Sequence, residues 1–207
     1  MRKAIKSLIS AMFQVVVFPA ALTTGFGRWQ TAFTFFAQHF AGYSGIGGSY
    51  LRVAYYQLTL QKVGHDCHIA LGSFFANPQS SMGDRVGIGA YCVLGQVSLG
   101  DGTILATGVQ VVSGSRQHLR DESGHLTDVG RRFDRTTIGK ECWIGAGAIV
   151  MANLGDMVTV ALGSVVFRDV PSGALVAGNP ARLIPRSVQR DNRSSPLERR
   201  AASPASS

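Results

Sequence analysis

From Val63 onward the chain repeats itself every six residues, and this period restricts the fold more than any other feature. Hexads led by an aliphatic residue start at Val63, Ile69, Met82, Ile88 and Leu99, and, after an interruption, at Ile138, Ile144, Leu154 and Val160. The second place is Gly or Ala in all of them. The fifth place holds Cys67, Ser73, Val86, Cys92, Thr103, Cys142, Ala148, Val158 and Ser164, which are small or β-branched. An amphipathic helix would show a period of 3.6, which is absent. Phase-locked positions are what a solenoid requires, because each side of a coil stacks the same kind of residue on the coil below. Each hexad then reads as one short strand and one turn. The leading aliphatic points inward, the fifth-place residue fills a narrow inner corner, and Gly frees the backbone where the chain turns. Three sides make about 18 residues per coil, enough for roughly five coils.

The same phase assigns the cysteines. Three thiols cannot all pair within one chain, and the spacings from Cys67 to Cys92 to Cys142 fit no zinc-finger or redox motif. All three occupy the fifth place, so they read as small core residues rather than nucleophiles or ligands.

A formal charge of +8 invites a nucleic-acid partner, but its distribution argues otherwise. Residues 1–62 carry six basic and no acidic side chains, residues 63–185 nine basic and ten acidic, and residues 186–207 five basic and two acidic. The repeats are nearly neutral, and the excess flanks an apolar N-terminus and fills a Ser-, Arg- and Pro-rich tail that reads as disordered. Such a pattern suits an anionic membrane surface. Arg2, Lys3 and Lys6 precede an apolar run over residues 8–22, and a second, aromatic run covers residues 29–43 before the glycine-rich break at 45–48. Two arrangements fit: a transmembrane hairpin that returns Arg52 to the side of Lys3, or two helices that pack on the folded domain or lie in the interface.

The run from Cys142 to Val150, with Gly163-Ser164-Val165-Val166, Asp169-Val170-Pro171 and Gly178-Asn179-Pro180-Ala181-Arg182, resembles the hexapeptide-repeat acyltransferases. That family includes maltose, galactoside, serine and streptogramin acetyltransferases. The resemblance covers residues 63–185 and implies a left-handed parallel β-helix and a homotrimer. Its ending is similar to the family's coenzyme-A-binding coils. The apolar N-terminus is more similar to the polysaccharide-modifying members. Three parts are therefore expected: a membrane-associating, helical region over 1–62, a mainly β repeat domain over 63–185, and a disordered basic tail over 186–207.

The repeat breaks over residues 113–137, and a long loop on a rigid solenoid is a usual place for function. By resemblance His118 in this loop is the candidate general base, with His125 its competitor. A neutral imidazole can take a proton from an acceptor hydroxyl and pass it to the leaving thiolate. For acetyl-CoA, the resemblance points to Trp143, Gly145, Ala161, Gly163, Arg168 and Arg182: an apolar wall, close-approach backbone, and cations for phosphates. No metal is expected. His65 and His68 raise a carbonic-anhydrase-type zinc site, but three residues apart on a six-residue rung they should diverge. The expected function is acetyl-CoA-dependent O-acetylation of a saccharide, an exopolysaccharide or lipopolysaccharide precursor, at the cytosolic membrane face. N-acetylation of an amino sugar or antibiotic and a non-catalytic scaffold are the alternatives.

Overall fold

The computed structural model describes residues 2–113, 119–120, 123–127 and 134–185, without the side chains of 2–7 and 119–120. His118 and the tail 186–207 lie outside the described residues. Three helices open the chain: α1 (Arg2–Thr23), α2 (Gln30–Ala41) and α3 (Gly45–Thr59). Between α1 and α2 the chain turns through Gly27, at φ +87°, where an added Cβ would collide with the Thr59 carbonyl. The glycine-rich segment expected as a break is the first turn of α3. Among the described residues no helix is long and apolar enough to cross a membrane. Instead α1 packs on α3, and α2 on α3 and the first coil: Phe13 stacks on Tyr50, and Phe33 and Phe40 lie against Tyr55.

The repeats form a parallel β-solenoid with three sides. The first carries strands Lys62–Val63, Ser81–Met82, Val97–Leu99 and Thr136–Ile138. On the second are His68–Ile69, Gly87–Ile88, Ile104–Leu105, Trp143–Ile144, Thr159–Val160 and Leu175–Ala177. Phe74–Phe75, Val93–Leu94, Gln110–Val111, Ile149–Val150 and Val165–Val166 make the third. Bridges through Leu154 and Val170 continue the first side. The hexad leaders are in register, for example Ile69, Ile88, Leu105, Ile144, Val160 and Val176 in one buried column. Each such side chain withdrawn from water contributes roughly 1.5–3 kcal/mol.

The coils are not uniformly 18 residues long. Leaders on the first and second sides are followed six residues later by the next leader throughout, as in Ile138, Ile144 and Val150. The third corner, from the third side back to the first, absorbs all the variation. Met82 follows Phe75 by seven residues, Leu99 follows Leu94 by five, and Leu154 follows Val150 by four. The loop 113–137 leaves from this same corner.

The role of glycine is also redistributed. The second-place glycines lack positive φ; they are small because the next coil presses on them, and an added Cβ at Gly145 would lie 2.5 Å from the Leu162 amide nitrogen. Left-handed backbone falls instead on the fourth place, at Gly72, Gly102, Gly147 and Gly163 but also at Asp66, Arg85, Tyr91, Glu141 and Met157. Fifth-place donors reach across to the second-place carbonyl of the next coil: Ser73 Oγ to Gly89, Thr103 Oγ1 to Gly139, and the thiols of Cys67, Cys92 and Cys142 to Gly83, Ala106 and Gly155. Cys92 and Cys142 are buried, and Cys67 is half-buried. Burial pushes all three thiols up from the usual range, against hydrogen bonds that work the other way. They are corner residues in the role of Ser and Thr.

A solenoid leaves an open strand edge at its first coil. Here α3 covers it. Ser49 Oγ accepts the Ile69 amide (3.2 Å), the Tyr56 hydroxyl accepts the Phe75 amide (3.0 Å), and Arg52 Nε donates to the Ile69 carbonyl (3.0 Å). Arg52 is therefore not a surface charge that marks a membrane side. Only 1% exposed, it also donates to the carbonyls of Phe40, Ala41 and Tyr43. Burial lowers its pKa from the ordinary arginine value.

Candidate functional site

The two ends of the loop 113–137 are fixed before it leaves the solenoid. Ser113 Oγ accepts the Gln96 amide, Thr136 N donates to the Gln96 carbonyl (3.0 Å), and Thr136 Oγ1 donates to the Val112 carbonyl (2.8 Å). Within the loop, Leu119–Arg120 and Leu126–Thr127 pair antiparallel, Leu119 opposite Thr127. Leu119 is thus at the open end of this hairpin, whereas His125 sits at its turn end and is exposed. The candidate base His118 immediately precedes Leu119 in sequence and lies outside the described residues.

Beside the fixed ends, a cleft of about 670 Å³ opens between the α1–α2 turn and the third corner of the first coils. Its polar lining includes Arg28, Gln30, Gln61, Asn77, Gln79 and Gln96, with Phe26 beside them; among the described residues no carboxylate lines it. Gln96 Nε2 donates to Gln79 Oε1 (3.1 Å), which fixes the floor. Arg135, at the returning end of the loop, donates to Gln61 Oε1 and to the Gln79 carbonyl, both at 2.8 Å. Each amide offers both donor and acceptor, the complement that a hydroxyl needs. The hexad pattern does not point to these side chains, because they stand where it fails. The signal is the change of phase itself, seven residues and then five in place of six, on one corner.

The six positions assigned to acetyl-CoA do not converge on one surface of this chain. Gly145, Ala161 and Gly163 lie on the second corner in adjoining coils. Trp143, about half exposed, precedes that corner on the second side, and Arg182 pairs back onto Ala177 at the end of the same side. Arg168 sits on the third corner, past Val166, and is exposed. Gly145 is buried under Leu162, so its missing side chain serves coil stacking; Gly163, at φ +64°, faces open space. Among the described residues no three His, Cys, Asp or Glu side chains gather to hold a metal. His68 Nδ1 is bonded to Ser49 Oγ (2.9 Å), and His65 is exposed.

The sequence model of the family described as "hexapeptide repeat of succinyl-transferase" matches residues 80–113 and 135–168, on either side of the loop. Over these repeats the chain is similar to the hexapeptide-repeat acyltransferases. It is 38% identical over 112 residues to nodulation protein L of Rhizobium meliloti, covering 49% of this chain and 60% of that one. With the dTDP-3-amino-3,6-dideoxy-alpha-D-galactopyranose 3-N-acetyltransferase of Aneurinibacillus thermoaerophilus it shares 45% identity over 53 residues, 25% of this chain and 28% of that one. The matches thus span less than two thirds of each relative. Among solved structures, a hexapeptide-repeat-containing acetyltransferase of Vibrio cholerae, crystallised with acetyl coenzyme A, superposes with a TM-score of 0.63 at 20% identity over 75% of this chain and 86% of that one. At that identity the likeness is one of fold.

Proposed function

We propose that the chain is a hexapeptide-repeat acyltransferase, an acetyl-CoA-dependent O-acetyltransferase acting on a saccharide hydroxyl, with the acceptor seated in the amide-lined cleft at the root of the loop. The observation that carries the reading is the position of that cleft. Its floor residue Gln96 is bonded to both ends of the segment that contains His118. In the step proposed, neutral His118 takes the proton of an acceptor hydroxyl as its oxygen attacks the thioester carbonyl. The tetrahedral intermediate collapses with cleavage of the carbon–sulfur bond, and the imidazolium returns its proton to the coenzyme A thiolate. Both substrates are present together, so no acyl-enzyme forms.

Trp143, Gly163 and Arg182 would hold acetyl-CoA along the second corner. Arg168 joins them only if another subunit of the proposed homotrimer brings its third corner alongside. The sugar N-acetyltransferase among the relatives supports a second reading, transfer to an amine. One experiment tests both. Thermal unfolding is followed with acetyl-CoA and desulfo-CoA, since a ligand of the folded state raises the midpoint. Coenzyme A release is then assayed with hydroxyl and amino sugars for the wild type, His118→Ala and His125→Ala. The proposal expects a rise with both ligands, a hydroxylamine-labile ester product, and loss of turnover in His118→Ala alone. A missing midpoint shift, or full turnover in His118→Ala, overturns it, and a hydroxylamine-stable product moves the assignment to N-acetylation.

A further inference from the structure

The α1 helix is built inside out. Its two polar residues between 8 and 22 face the protein, where Ser10 Oγ and Gln14 Nε2 both donate to Gln57 Oε1 of α3, at 3.2 and 2.8 Å. Every exposed residue over the same stretch is apolar. Leu8, Met12, Val15, Val16, Phe18 and Leu22 stand between 48% and 74% exposed, and their spacing sets five of them on one stripe. Large contiguous apolar surface of this kind marks a site of association. Two features identify what covers it. With buried Arg52 set aside, the first 62 residues hold five cations and no carboxylate, and Arg2, Lys3 and Lys6 begin α1, where a helix's own dipole disfavours positive charge. A second copy docking through this face would bring two such basic regions together. An anionic lipid surface offers both an apolar layer and the opposite charge.

We infer that α1 lies in the plane of an anionic membrane, with its Leu8–Leu22 stripe in the acyl boundary and its basic first turns among the headgroups. The opposite face of α1 stays bonded to α3, so the helix lies on the bilayer and does not cross it. This surface is separate from the cleft and does not depend on acyl transfer. The test is flotation of the full chain with phosphatidylcholine vesicles, with and without 30 mol% phosphatidylglycerol, for the wild type, Val15→Glu and Met12→Gln. Trp29 fluorescence in a Trp143→Phe background reads the same event. The expected result is binding to the anionic vesicles only, a blue shift of Trp29 emission, and a loss of at least tenfold in apparent affinity in both variants, whose melting curves stay native. Equal binding by the variants, or no flotation of the wild type, overturns the inference. So does a change in oligomer size on Val15→Glu without vesicle binding, which assigns the stripe to a subunit contact.

Discussion

Met157 occupies a fourth place, at φ +56° and largely exposed, where a non-glycine residue bears the cost of left-handed backbone. Replacing it with Gly removes that cost and adds some unfolded-state entropy, so Met157→Gly should raise stability by roughly 1 kcal/mol. Gly145→Ala should do the opposite and lower it by about 2 kcal/mol or more, because the new methyl meets Leu162 backbone that cannot move without parting two coils. Urea denaturation of the two variants measures both signs. The pair separates two uses of glycine that look alike in the sequence. A second-place Gly is legible as part of the repeat, but the repeat does not say whether it serves torsion or contact. Arg52 is the opposite case. Its surroundings give it a meaning, since it holds four carbonyls from two segments. Arg52→Met should cost about 3–5 kcal/mol, and Arg52→Lys should restore only part, because one ammonium cannot reproduce the planar fork. Thermal melts of both variants decide this.

At the scale of elements, the β-sides are legible and the cap is not. Hexad phase follows from inward stacking, so it survives in the sequence and places the strands of Ile69, Ile88 and Leu105 without coordinates. The fit of α3 to the first coil depends on side chains 19 residues apart in the chain, such as Ser49 with His68 and Tyr56 with Phe75, and no period records it. The cap makes a prediction about pH. Burial raises the phenols of Tyr55 and Tyr56 well above their ordinary range, and hydrogen bonds only partly offset this. An acid whose folded pKa is raised stabilises the fold below its unfolded pKa, about 10 for tyrosine, and that contribution is lost as pH rises toward the folded value. Stability should begin to fall above about pH 8.5, where the three buried thiols titrate in the unfolded chain, and fall steeply above about pH 10 with the phenols, tyrosinate absorbance appearing together with loss of ellipticity. In Tyr56→Phe the alkaline transition should move upward, while stability at neutral pH falls by about 1–3 kcal/mol because the Phe75 amide loses its buried acceptor. An unchanged alkaline midpoint in Tyr56→Phe would show that the cap does not set it.

For the whole molecule, the division of labour between a stacked frame and one variable corner carries the last prediction. Two corners keep strict six-residue spacing, and every change of length falls on the third, where the cleft and the loop also lie. A coil contacts only its neighbours, so an insertion at a corner leaves the columns above and below it in register. Here Val97–Leu99 pairs with Thr136–Ile138 across the whole insertion, and Ile104–Leu105 pairs with Trp143–Ile144. Among the described residues, bonds that close this corner run among Gln96, Val112, Ser113 and Thr136. Replacing residues 114–133 by a short Gly- and Asn-containing linker should therefore leave a cooperative melt within a few degrees of the parent, since shortening a surface loop changes closure entropy only weakly. Such a variant should keep its thermal response to coenzyme A if the second corner holds that ligand, and it should release no coenzyme A in the presence of acceptor because His118 and His125 are both gone. A collapse of the melt would mean that the loop belongs to the frame. Retained turnover would place the base elsewhere on the solenoid and leave the cleft without a reason to sit where it does.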